Sequence, residues 1–240
     1  MTAGDDKKTS ATDFEFAVLG EARNYRRRLI REFGDHLRGH VLEVGAGIGQ
    51  TTAELRKNPA ITRLASIELD ARFCDQLRAT CPGQTVICGT IADLNDDGKW
   101  NAIISINVLE HIEDDEHELA FYSKVLAPQN GVLCLFVPAR PEIYAPIDKH
   151  FGHYRRYTRP QLRRKLENAG FEILQLTYYN FIGYFGWWLN FCLMKRCSFN
   201  LGSVLLFDRV IFPIAHAYES KVHPPPIGQS LIAMARASRL

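Results

Sequence analysis

The chain has 240 residues, enough to bury one good core and too few for two full domains of ordinary size. Its formal charge of +2 and pI near 8.2 are close to balance, which is no footprint for tight nucleic-acid binding, a function that wants a concentrated basic face. Six cysteines without a C-x-x-C pair, and no signal peptide ahead of them, read as reduced thiols of a cytoplasmic protein.

Residues 1–12 are small, polar and of mixed charge, and read as a disordered leader to a single domain over 13–240. From Asp13 onward, Val18, Ala22, Tyr25, Leu29 and Phe33 recur at helical spacing while Arg23, Arg26, Arg27, Arg28 and Arg31 crowd the other side, predicting an amphipathic helix. Residues 41–50, VLEVGAGIGQ, then read as a buried strand, a tight turn and the start of a helix. Gly45, Gly47 and Gly49 alternate at i, i+2, i+4. A dinucleotide fingerprint needs its third glycine three residues after the second, so this spacing points instead to a bare backbone wrapped round a ligand without a pyrophosphate. Amide hydrogens and the following helix N-terminus suit an anionic group, and Glu43 is placed to receive a cation.

This arrangement resembles motif I of the class I S-adenosylmethionine (SAM) dependent methyltransferases. The resemblance implies that the loop cradles the methionine and ribose portion of SAM, with Glu43 beside the amino end. It also implies an N-terminal helix lying over the cofactor, which makes Asn24 and Tyr25 candidates for the cover.

The next strand, 63–68, ends in Glu68-Leu69-Asp70. An acid about twenty residues past the glycine loop is where a Rossmann-like sheet receives a ribose diol. Glu68 closes the apolar run and takes that role, whereas Asp70 is read as the cap of a helix over 71–80. A third strand, 84–88, leads into GTIADL, 89–94. By resemblance this segment faces the adenine, with Thr90 where relatives often carry an acid, Asp93 as the acceptor of the exocyclic amine, and backbone amides up to Leu94 at the ring nitrogens. Residues 95–98 are an acidic turn.

A fourth buried strand, 102–106, runs into NVLEHI. Asn107, Glu110 and His111 thus stand at the carboxyl end of a parallel strand, where ligands bind in open α/β sheets, and the L-E-H-I run resembles motif IV of many small-molecule methyltransferases. Asn107 and His111 are assigned to the cofactor site, and His111 also to catalysis. The acids 113–116 begin a helix and are explained by its dipole.

After a fifth strand, 131–137, residues 138–158 concentrate Tyr144, Asp148, His150, His153, Tyr154, Arg155, Arg156 and Tyr157. Loops of this length without structure of their own are usually functional, so this one is read as an acceptor-binding lid. Asp148 and His153 join His111 as candidate bases, and Tyr144, His150, Tyr154, Arg155, Arg156 and Tyr157 are candidate substrate contacts, the arginines as a clamp for an acceptor anion. Thr158 and Gln161 form the signature of a capping box, Gly170 ends that helix, and strands over 171–179 and 229–235 complete a set of seven. The expected fold is α/β: a seven-stranded Rossmann-like sheet with helices on both faces, a lid helix at the N-terminus and a helical insertion between strands six and seven. The resemblance implies that the last strand is antiparallel.

The insertion, about 180–228, is rich in aromatic residues and reads first as two helices extending the core. The same surface could serve as a hydrophobic substrate pocket, a homodimer contact or a peripheral membrane patch. Apolar stretches 178–194 and 204–217 are both interrupted by polar groups, and no run reaches the ~18 to 20 residues of a bilayer span.

The chain is therefore read as a SAM-dependent methyltransferase acting on oxygen or nitrogen of a small, natural-product-like organic acceptor by in-line displacement. No metal is expected, since His150 and His153 lack a cysteine nearby. The absence of an N/D-P-P-Y tetrapeptide after the fourth strand disfavours adenine and amide nitrogens as acceptors. Two alternatives stand beside it: a lipid-linked or glycan acceptor at a membrane surface, and a SAM-binding interaction protein without turnover.

Overall fold

The structure is a computed structural model that describes residues 18, 20–95, 99–219 and 225–238. The expected leader 1–12, the first residues of the N-terminal helix, most of the turn 95–98 and Pro224 lie outside the described residues. Seven strands form one sheet: β1 Gly39–Val44, β2 Ile61–Glu68, β3 Thr85–Cys88, β4 Ala102–Ile106, β5 Val132–Pro138, β6 Phe171–Tyr179 and β7 Ser230–Ala237. Their spatial order is β3-β2-β1-β4-β5-β7-β6, parallel except for β7, which is antiparallel to both β5 and β6.

The central strands β1, β4, β5 and β7 are largely buried on both faces, and period 2 sorts their residues. Leu133, Leu135 and Val137 of β5 face one core with Leu42, Ile67 and Ile103, while Val132, Cys134 and Phe136 face the other with Val41, Ala102 and Ile104. Helices α1 (Arg23–Glu32) and α2 (Gln50–Leu55) cover the second core, and α3 (Ala71–Thr80) follows β2. Helices α4 (Asp115–Leu126) and α6 (Arg159–Asn168) cover the first, through Leu119, Tyr122, Leu126, Leu162 and Leu166. Between β5 and α6 lies the short helix α5 (Pro146–His150).

Local expectations hold at their caps. Asp70 accepts from the Arg72 amide at 2.9 Å and starts α3, and Thr158 and Gln161 exchange hydrogen bonds of 3.1 and 3.3 Å at the start of α6. Gly170, at φ +83°, ends α6.

The insertion is a helical hairpin, α7 (Phe181–Leu193) and α8 (Leu201–Glu219), each with a stretch of π-helix. Glu219 at the end of α8 accepts from the Phe181 amide at 3.0 Å, closing the hairpin. α8 is a single helix of 19 residues with mean hydropathy 1.3, long and apolar enough to cross a membrane by those measures. The sequence reading of the same region as an interrupted run is thereby corrected: it is one continuous helix that turns Asp208 and His216 inward. A second correction concerns the cysteines. Cys74 of α3 and Cys88 of β3 are joined by a disulfide with a Cα–Cα distance of 6.1 Å, while Cys81, Cys134, Cys192 and Cys197 are free. The pair lies fourteen positions apart in sequence, so only the packing of α3 on β3 brings the two sulfurs together.

Candidate functional site

The sheet order reverses between β1 and β4, and the loops that follow those strands meet there. A Cβ on Gly45, at φ +75°, would lie 2.2 Å from Val108 Cγ2, so only glycine lets the β1 loop pass the β4 loop. Gly47, at φ +54°, has open space where its side chain would be, and Gly49 at φ +88° opens α2. The Gly47 amide donates to Glu68 Oε2 at 2.7 Å and the Asp70 amide to Glu68 Oε1 at 2.9 Å. Glu68 therefore braces the loop, with a lone pair left on each oxygen for a diol.

Glu43 is buried on β1, where its Oε2 accepts from Thr52 at 2.5 Å and Ser66 at 2.8 Å, and its Oε1 has no partner. Burial, opposed by those two hydrogen bonds, pushes its pKa up to about 7. Asp93 turns back to accept from the Thr90 amide at 2.8 Å and the Thr90 hydroxyl at 3.0 Å, both on Oδ2, which lowers its pKa. Asn107 is exposed at the end of β4 with φ +53°. These residues fit SAM: an open glycine cradle, a carboxylate with spare lone pairs below it, and an orphaned buried oxygen on Glu43.

Tyr25 departs from its expected role. Its ring packs against Phe212, Tyr179 and Phe136 at 4.7, 5.7 and 6.4 Å, so it pins α1 to the sheet and does not cover the glycine loop. Arg26 is the link instead, donating to Gln50 Oε1 at 2.7 Å at the first turn of α2.

Across the crevice, the expected loop is a braced cap rather than an open lid. Ala139 and Tyr157 pair at its base, Pro141–Ile143 forms a turn and α5 follows. Its centre is Asp148, fully buried, whose Oδ1 meets His153 Nδ1 and Arg156 Nε, each at 2.9 Å, and whose Oδ2 accepts from the Ala145 amide at 2.9 Å. Burial alone would raise the Asp148 pKa; His153 and Arg156 outweigh it and hold the carboxyl ionised. An ionised Asp148 fixes the His153 proton on Nδ1 and leaves Nε2 as the acceptor. Asp148 is thus a positioning residue and not a base.

His111 stands exposed at the rim with its ring 4.6 Å from that of His153 and nearly perpendicular to it. Burial of its packed side, and then the neighbouring His153, push the His111 pKa down, so it is neutral at pH 7. Beneath the two imidazoles lies Glu110, fully buried with neither oxygen hydrogen-bonded, and its pKa is pushed up to about 8 chiefly by burial. Glu110, His111 and His153 bring one oxygen and two ring nitrogens within 4.8 Å of one another, a set able to hold a divalent ion. The sequence reading weighed His150 with His153 for that purpose; His150 is outside this set. The sequence places Glu110 at the strand end with Asn107 and His111 but assigns it no role, because its full burial is not legible in the chain.

Three further assignments are corrected. Arg156 is spent on Asp148 and on the Ala139 carbonyl at 3.1 Å, with Trp187 stacked 4.4 Å away. Arg155 holds Asp115 at 2.9 Å and the Glu113 carbonyl at 2.7 Å. Tyr157 is buried, donating to Asp115 Oδ2 at 2.8 Å. None of the three is free to clamp an acceptor. Tyr144, which donates to the His153 carbonyl at 2.7 Å, His150 and Tyr154 remain accessible on the cap.

Residues 19–176 match the family model described as "Methyltransferase domain". No curated protein matches the sequence. Among solved structures, a SAM-dependent methyltransferase from Thermotoga maritima aligns over 96% of each chain at 15% identity and a TM-score of 0.64. A methyltransferase bound to the Haloferax volcanii Trm112 activator aligns over 99% of this chain and 96% of its own at 15% identity and 0.61. The [4+2]-cyclase SpnF aligns over 90% and 82% at 20% identity and 0.60, so the same fold also carries other chemistry. With a family match over most of its length on a sheet whose glycine cradle suits the cofactor, this chain belongs to the class I SAM-dependent methyltransferases.

Proposed function

We propose that the protein methylates an oxygen or nitrogen of a small organic acceptor, with His153 as general base. The observation that carries this is the Asp148–His153 pair, 2.9 Å between Oδ1 and Nδ1, set beside His111 at the cofactor edge of the sheet. SAM supplies an electrophilic methyl on a sulfonium, displaced in line by the acceptor atom. An acceptor O–H or N–H⁺ must lose its proton in that displacement, and His153 Nε2 is the lone pair available to take it while Asp148 stabilises the imidazolium. Neutral His111 offers a second nitrogen to orient the acceptor. Tyr144, His150 and Tyr154 supply the accessible wall of the acceptor site.

The test has two stages. Calorimetric titration with S-adenosylhomocysteine, with NAD as comparison, should show micromolar binding of the first alone. Transfer of radiolabelled methyl from SAM to a panel of phenols, amines and carboxylic acids should then be roughly 10² to 10⁴ lower in His153→Gln, with S-adenosylhomocysteine affinity unchanged. Equal turnover in His153→Gln and His111→Gln would remove the base assignment. Binding without transfer to any acceptor would favour the non-catalytic alternative or chemistry of the cyclase kind.

A further inference from the structure

Helix α8 is amphipathic the wrong way round for a helix facing water. Val204, Asp208, Phe212 and His216 form its buried stripe, so the inward face carries an acid and a histidine. The outward face carries Leu206, Val210, Ile211, Ile214 and Tyr218, with Ile214 and Tyr218 each 69% exposed. A solvated helix puts its polar residues on the other side. The inward polar groups are engaged with the domain: Asp208 accepts from the Tyr25 amide at 2.8 Å and the Asn24 amide at 3.1 Å, capping α1. α7 also turns apolar residues outward: Trp187 and Phe191 are buried, and Phe185, Trp188, Leu189 and Leu193 are exposed.

Charge identifies the occupant of this surface. The turn joining the two helices presents Lys195 and Arg196, the outer side of α8 presents Arg209, and α1 presents Arg28 and Arg31 to a groove shared with Phe212 and Pro213. None of these five cations forms an ion pair among the described residues. A second copy of the chain docked symmetrically would set this cationic rim against itself. An anionic lipid surface meets the apolar faces and the rim together. α8 has one face committed to the domain, so it lies in the interface rather than crossing it.

The hairpin also touches both halves of the site. Trp187 Nε1 donates to the Ile143 carbonyl of the cap at 3.1 Å, and α8 caps α1 through Asp208. We propose that α7 and α8 dock the protein on an anionic phospholipid bilayer, which sets the cap beside the lipid and makes a lipid-borne amphipathic molecule the acceptor class. The docking stands by itself; the acceptor class rests on the methyl-transfer reading.

Full-length protein is sedimented with vesicles of phosphatidylcholine, with or without roughly one-third phosphatidylglycerol. Binding should favour the anionic vesicles by roughly tenfold or more and weaken with salt. Ile214→Asp and Leu206→Asp, both outward, should lower it at least about tenfold while S-adenosylhomocysteine affinity stays unchanged. Arg28→Glu with Arg31→Glu should abolish the preference for anionic lipid. Failure of the wild type to bind either vesicle, or wild-type binding by both aspartate variants, overturns the docking. A concentration-dependent dimer broken by Ile214→Asp, without vesicle binding, overturns it in favour of self-association. Vesicle binding without S-adenosylhomocysteine binding would leave docking intact and remove the acceptor class with the methyl-transfer reading.

Discussion

Asp148 and Glu110 are both fully buried, yet their carboxyls are driven in opposite directions. Arg156 and His153 keep the first ionised, whereas for the second burial outweighs its own backbone amide and the Arg156 charge. Glu110, with a folded pKa near 8 against about 4.3 in an unfolded chain, retains a proton in the folded state that the unfolded state has released between those values. Its contribution is complete below about pH 4 and is lost as pH rises to about 8, at up to about 1.4 kcal/mol per pH unit. Glu43, raised to about 7, adds a slope of the same sign. Glu110→Gln removes one of the two burdens, so its melting temperature should match the wild type near pH 5 and exceed it at pH 8.5; equal melting curves at both values would show that Glu110 is solvated. Asp148→Asn acts the other way. It leaves the buried Arg156 guanidinium without its anion, a loss of about 3 to 5 kcal/mol read by denaturant unfolding at pH 7.

Single elements show what the sequence carries and what it does not. The Thr158 capping box spans four residues and is legible by eye, and Thr158→Ala should cost about 1 kcal/mol in urea unfolding. The cap of α1 is invisible from the chain because its acceptor, Asp208, lies 184 residues beyond Asn24. The glycine loop is legible as a loop, but not the unequal demands on its glycines. Gly45→Ala collides with Val108 and should both destabilise the fold and abolish S-adenosylhomocysteine binding. Gly47→Ala meets open space and costs only the positive-φ strain, about 1 to 2 kcal/mol, so its fold should survive. Calorimetry on the pair separates a steric requirement from a conformational one. The cap 138–158 was legible as a concentration of functional side chains; that Arg155, Arg156 and Tyr157 brace it internally depends on Asp115 and Asp148, whose burial no local pattern records.

At the scale of the whole molecule, strand number and the antiparallel last strand follow from apolar runs buried on both faces and from the family resemblance. The orientation of the hairpin does not. Its two helices carry apolar residues on every side, so periodicity alone cannot choose the inward face; partners from α1 and the cap make that choice. Trp187 is where this matters for the site, stacking on Arg156, packing against Phe191 with ring centroids 4.6 Å apart and bonding the Ile143 carbonyl. Trp187→Ala would open a cavity between hairpin and cap at a cost of about 3 to 5 kcal/mol. The sheet, with its own two cores, does not depend on that contact. Limited trypsin digestion of Trp187→Ala should therefore cut first at Arg155 or Arg156, while the wild type resists there and S-adenosylhomocysteine binding is retained in both. Cleavage spread evenly over the chain would mean that the cap and the sheet unfold as one unit and that the hairpin supports the whole domain rather than the acceptor side of its site.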